Sequence, residues 1–243
     1  MNREIHQWWS DNLDKEMPLI AYGHYGFALL MFPTAAFNCY EYEERGMIHR
    51  LAPWIEAGKI KVYVIDSINN ESWMNPHLHP RDKAIRHQQY NRYVTDEVVP
   101  FIYAHCGGNE VPIITTGASL GAFHAANTVF RRPDLFDGMI AMSGSYDVKL
   151  YTDGYYDDNC YYNSPIDYLP NLEGDHLAKL QTKTHLYILT GQGAYEHSQW
   201  SIDLSAVLKA KHIPHELDIW GYDMPHDWPT WFQMLPYYID SRF

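Results

Sequence analysis

Apolar runs alternate with amphipathic stretches along the whole chain. Residues 4–9 and 17–22 read as two opening strands. Phe27 to Phe32 (FALLMF) is a continuous apolar run stopped by Pro33, which predicts a buried strand. Residues 41–57 predict a helix closed by Gly58. Lys61 to Ile65 is strand-like, and Asp66-Ser67 then opens a polar loop that carries Trp73. Asp82 to His105 predicts a long helix, ended or kinked at Pro100. Val111 to Thr116 predicts a strand, Leu120 to Arg131 a short helix, and Phe136 to Met142 a strand ended by Ser143-Gly144-Ser145. Residues 146–184 are irregular and rich in Tyr and Asp, with room for one helix. His185 to Thr190 predicts a strand, Ser198 to Ala210 a helix and Glu216 to Trp220 the last strand, with a final helix after Trp228. About eight strands, with helices interleaved from the third onward, imply a mainly parallel sheet covered on both faces. Reactive groups in such sheets collect where strands end. The loops after residues 32, 66, 116, 142, 190 and 220 are therefore the places to search.

Charge narrows the partners. Lys and Arg number 18 against 30 Asp and Glu, a formal net charge of −12. That balance argues against nucleic acid and anionic membranes, which both want basic surface. The three cysteines are widely spaced and form no CxxC pair, so neither a disulfide framework nor a zinc motif is suggested. The N-terminus carries one Arg and no apolar core, unlike a secretory signal. The longest apolar stretch, Phe27 to Pro33, falls far short of a membrane span. The expectation is a cytoplasmic protein with one domain over residues 1–243 and no cofactor or metal.

The loop after residue 116 carries Gly117-Ala118-Ser119-Leu120-Gly121, a G-x-S-x-G between an apolar strand and a small-residue helix. In that context the Ser sits on a sharp strand-to-helix turn, a nucleophile elbow. The bland alternative is a glycine-rich turn in which Ser119 only caps the helix. A serine hydroxyl needs a base. Among 14 histidines, His226 stands apart, because it lies between the last strand and the last helix, where an α/β-hydrolase keeps its base. His124, on the helix after the elbow, is worse placed. His77 and His79 form a Pro-His-Leu-His-Pro loop with too few ligands for a metal. The acid should follow the seventh strand, where Glu196 is the loop's one carboxylate; Asp223, beside His226, is the rival. Leu120 N–H is one expected oxyanion donor, and Ala35 or Ala36 supplies the second.

These segments resemble a known family. The elbow Gly-Ala-Ser-Leu-Gly-Ala-Phe-His-Ala, the Arg-Pro-Asp-Leu-Phe-Asp-Gly, the Ser-Gly-Ser-Tyr-Asp and the terminal Trp-Gly-Tyr-Asp-Met-Pro-His-Asp-Trp-Pro are similar to the Putative esterase family. This is the esterase D and enterochelin-esterase-like branch of the α/β-hydrolase superfamily. The stretch from Phe32 to Met47 is similar to a compact bacterial subgroup. The resemblance spans nearly the whole chain. It implies an eight-stranded sheet, a Ser-acid-His triad and cofactor-free ester hydrolysis. Two departures stand out: Pro33-Thr34-Ala35 replaces the usual His-Gly of the oxyanion loop, and Glu196 stands where the family usually has Asp.

Aromatics make up 15% of the chain, and seven of the 20 tyrosines fall between Tyr146 and Tyr168. This cap-like insert, within 146–184, follows the sixth strand. It either walls an acyl pocket, with Tyr155 and Tyr156 as candidates, or packs on itself or on a second subunit of a homo-oligomer. Trp73 is a further pocket-wall candidate, with core packing as its alternative. The sequence therefore predicts a serine hydrolase acting on small-molecule carboxylic esters, short-chain or aryl. An acyltransferase or thioesterase with the same triad, or a silent hydrolase fold that only binds, are the rivals.

Overall fold

A computed structural model describes residues Met1–Phe243. The strands are β1 (Arg3–Ser10), β2 (Lys15–Tyr22), β3 (Phe27–Phe32), β4 (Ile60–Ile65), β5 (Ile113–Ala118), β6 (Gly138–Met142), β7 (His185–Thr190) and β8 (Glu216–Ile219). They form one sheet in the order β1-β2-β4-β3-β5-β6-β7-β8. β1 and β2 form an antiparallel hairpin, and β2 meets β4 antiparallel. All other neighbours are parallel. The expected mainly parallel sheet with helices on both faces is present.

Alternation along each strand feeds two cores. Leu30 and Phe32 of β3 join Ala141 of β6 and Ile188 of β7 on one face, under Tyr90, Ala125, Val129 and Leu204 from three helices. Leu29 and Met31 join Ile140 and Leu189 on the other, under Leu51, Ile55, Trp231 and Leu235. Central strands are buried on both faces, which is why they read as unbroken apolar runs rather than alternating ones.

Helix boundaries differ from the pattern in two places. The stretch expected as one helix over 41–57 is split into Glu41–Glu44 and Met47–Glu56, interrupted at Arg45-Gly46. Pro100 does not end the long helix. Instead Pro80–Tyr93 continues through a single π-helical stretch, Val94–Val98, into Val99–His105, where Pro100 occupies the first turn. The wider turn relieves the ladder at a residue that has no N–H to give. The 146–184 insert holds more structure than expected: Val148–Tyr151, Asp158–Tyr161, Pro165–Tyr168, Leu169–Asn171 and Gly174–Gln181 are all helical. No helix is long and apolar enough to cross a membrane.

Candidate active site

Ser119 follows β5 and opens the helix Leu120–Arg131 at φ 57°, ψ −123°. A non-glycine residue held at positive φ stores strain, and such strain gathers at functional sites. Close packing enforces the turn. A Cβ on Gly117 would strike the Gly121 backbone, and one on Gly121 would strike the Phe32 and Pro33 carbonyls. The helix Leu120–Arg131 thus begins against the end of β3. The Ser119 hydroxyl makes no capping bond, so the capping alternative does not hold. The Leu120 amide lies in the first turn of that helix, among donors with no intrahelical partner.

The chain after β3 is clamped from several directions. Glu41, buried, accepts hydrogen bonds from Thr34 N–H (2.8 Å) and Thr34 Oγ1 (2.6 Å). Asn69 Nδ2 donates to the Thr34 carbonyl at 3.4 Å, Asn70 Nδ2 to that of Ala36 at 3.3 Å, and Ser67 Oγ to that of Phe37 at 2.6 Å. Burial pushes the Glu41 carboxyl up, against the Thr34 bonds that lower it. Asn69 also pairs its Oδ1 with His124 Nε2 at 2.7 Å, joining this turn to the helix Leu120–Arg131. His124 is fully packed, and burial drives its imidazole down to about 3. It is a neutral core group.

His226 and Glu196 come together. His226 Nδ1 lies 3.5 Å from Glu196 Oε2; the Glu196 side chain is 1% exposed and that of His226 22%. The two loops are stitched by Gly193 N–H to Met224 O and His226 N–H to Ala194 O, both 2.9 Å. Side chains at Gly191 or Gly193 would collide with the Met224 backbone. Glu196 is held from its other side. Ser143 Oγ donates to Oε1 at 2.5 Å and Thr190 Oγ1 to Oε2 at 3.3 Å. Burial raises the Glu196 carboxyl, but the bonds from His226 and Ser143 outweigh it and hold it below the ordinary range. Trp231 Nε1 donates to Ser143 Oγ at 3.0 Å, and the Trp231 ring meets that of His226 edge-on at 5.2 Å. Asp223 is exposed and makes no hydrogen bond to His226, while Asp227 caps the last helix through Trp228 N–H.

Two pocket-wall expectations need correction. Trp73 is 2% exposed, so it backs the site instead of lining it: it packs with Leu120, Phe123, Val148 and Cys160. Ala35 and Tyr155 border the same cluster. Tyr156 turns elsewhere, because its hydroxyl donates to Asp167 at 2.5 Å and Lys149 Nζ sits 5.3 Å from its ring centre. The remaining insert tyrosines divide by burial. Tyr146 and Tyr168 belong to a main core, and Tyr162 is exposed. His77 is exposed, and His79 caps the helix Pro80–Tyr93 by accepting from Arg81 N–H. Asp157 is likewise committed to Cys160 N–H and Tyr155 Oη.

Ser119, Thr34-Ala35, Asn69, Ser143, Glu196 and His226 all follow the carboxyl ends of parallel strands, at the rim where such sheets bind ligands. The family profile described as Putative esterase matches residues 42–237. The chain belongs to the Putative esterase family. It is an esterase-type hydrolase with the α/β-hydrolase fold. Comparison with curated proteins gives no match. Among solved structures, the esterase is similar to a ferulic acid esterase (17% identity, 98% of each chain, TM-score 0.74). It is also similar to an S-formylglutathione hydrolase from Staphylococcus aureus (14% identity, 98% of this chain and 95% of that one, TM-score 0.68). A third is a ferulic acid esterase from Anaeromyces mucronatus in complex with ferulic acid (12% identity, 99% and 90%, TM-score 0.71). At these identities the likeness is one of fold. Sequence reasoning did not single out Glu41, Asn69, Ser143 or Trp231 as supports of the site. Only Ser143 carried a signal, as the first residue past the sixth strand.

Proposed function

We propose that this esterase cleaves small carboxylic esters, short-chain or aryl, through an acyl-enzyme on Ser119, with His226 as base and Glu196 as the acid. The observation that carries the reading is the pairing of Glu196 with His226 Nδ1. With that nitrogen as the donor, Nε2 is left as the base for the Ser119 hydroxyl. Oxygen attacks the acyl carbon as its proton passes to Nε2. The oxyanion falls to the Leu120 and Ala35 amides, and His226 then protonates the departing alcohol. Water repeats the cycle and frees the acid. The buried Glu196 carboxylate stabilises the imidazolium formed in each half.

Two supports favour small acyl or aryl groups. The apolar cluster of Trp73, Phe123 and Val148 reaches Leu120, Ala35 and Tyr155, so the flank of the elbow is aromatic and aliphatic. Two structural neighbours of this fold are ferulic acid esterases. The test compares wild type with Ser119→Ala on p-nitrophenyl acetate and on a methyl hydroxycinnamate, with a fluorophosphonate label as a second readout. Loss of both signals in Ser119→Ala is expected; equal rates would overturn the assignment.

A further inference from the structure

Away from Ser119, β1 and the end of the helix Val99–His105 bring three side chains to one point. Glu4 and His6 are two apart on β1, so they share the face turned to that helix. Glu4 Oε2 lies 3.2 Å from His105 Nε2 and 3.4 Å from His6 Nε2. One ligand atom from each residue falls within 4.8 Å of the others. His6 Nε2 is buried and, although Glu4 Oε2 lies 3.4 Å away, completes no hydrogen bond, which leaves it free to ligate. The rings are fixed: Phe101 lies 4.9 Å from His6 and stacks on His105 at 5.4 Å. Tyr63 Oη takes His105 Nδ1 at 3.1 Å, which leaves Nε2 facing the carboxylate.

We propose that Glu4, His6 and His105 bind a divalent transition-metal ion of the zinc class. Metal bonds of about 2.0–2.1 Å at tetrahedral angles put neighbouring ligand atoms about 3.3 Å apart. The two carboxylate–imidazole separations, 3.2 and 3.4 Å, match that spacing, and the two imidazole nitrogens lie within 4.8 Å of each other. Two imidazoles and one carboxylate suit zinc better than magnesium or calcium, which prefer all-oxygen shells. Tyr63 supplies the outer hydrogen bond that a metal-bound His uses to fix its ring. A fourth position is left for water. β1 is an edge strand, paired only with β2, and three strands separate it from β5. The ion therefore ties the sheet edge to a helix, apart from the hydrolytic chemistry.

The test is calorimetric titration of the full chain with zinc chloride, thermal melts with and without zinc, and magnesium chloride as comparator. Cobalt chloride supplies visible d–d bands that report coordination geometry. One equivalent of zinc should bind at micromolar concentration and raise Tm, while magnesium does neither. His6→Gln and His105→Gln should each weaken binding at least about tenfold, in line with the loss of a ligand. Glu4→Gln, at the half-exposed rim, is the variant least able to disturb folding and should do the same. His77→Gln, an exposed histidine away from the site, should bind zinc as wild type does. Absence of saturable binding, or unchanged affinity in Glu4→Gln and both single His variants, would overturn the site and leave an ordinary Glu–His ion pair.

Discussion

Ser143 Oγ donates a 2.5 Å hydrogen bond to Glu196 Oε1 while accepting one from Trp231 Nε1. The hydroxyl thus sits between the carboxylate that pairs with His226 and an indole from the last helix. Ser143 itself is held at φ 55°, with its N–H on Leu189 O at 2.7 Å. Ser143→Ala keeps the backbone demand but removes the link. The carboxylate loses a donor and a buried indole N–H loses its acceptor, at a cost of about 1–3 kcal/mol. Expected results are a lower Tm and a kcat about tenfold down with KM little changed. A kcat equal to wild type would remove Ser143 from the account.

The choice of acid can be read from two single variants. Glu196→Gln keeps shape but breaks the charge partnership with His226, and a drop in kcat of about 10²–10⁴ is expected. Asp223→Asn changes an exposed side chain with no bond to His226 and should stay within about twofold of wild type. Steady-state kinetics on one chromogenic ester decides it. A reversed order would transfer the role to Asp223.

Two buried histidines set the acid limit of the fold. His124, driven to about 3 by burial, and His87, fully buried and held well below its ordinary value, stay neutral in the folded state. In the unfolded chain both take a proton near about 6.5. The unfolded state therefore binds more protons below that pH, and stability falls as pH drops toward 3. Each group contributes about 1.4 kcal/mol per pH unit well inside the window. Urea melts from pH 7 to 4.5 should show the decline, and His124→Asn should flatten it. An unchanged slope in that variant would count against the neutral assignment.

The insert tyrosines should separate in substrate kinetics. Tyr155 borders the Leu120 and Ala35 cluster, whereas Tyr156 is engaged with Asp167 and Lys149. Tyr155→Ala is expected to raise KM for aryl esters several-fold, and Tyr156→Ala to leave it within experimental scatter. Equal effects would place the substrate over the outer surface of the insert.

The eight strands, the mainly parallel sheet and the places of Ser119, Glu196 and His226 just past strands were legible because each rests on local sequence, whereas the strand order was not. Continuous apolar runs mark doubly covered strands, and the candidate residues follow strand ends. What was hidden depends on partners far along the chain. Trp73 looks like any loop aromatic until Leu120 and Phe123 are folded over it. The bond from Ser143 to Glu196 spans 53 positions, and that from Trp231 to Ser143 spans 88. Glu4, His6 and His105 have no motif spacing at all, since a hairpin edge and a helix end meet only in the folded chain. Pro100 marked where the helix is irregular but not the form it takes: its missing N–H is accommodated by a π turn just before it.

The turn from Thr34 to Phe37 has three of its carbonyls and both Thr34 donors already engaged, by Glu41, Ser67, Asn69 and Asn70. Such a segment has little freedom left to lose when an ester arrives. Its ordering entropy is spent when the chain folds, so affinity for substrate is not drained by closing a loop. The turn is a fixed jig rather than a gate, and access to Ser119 should be governed by fit and diffusion.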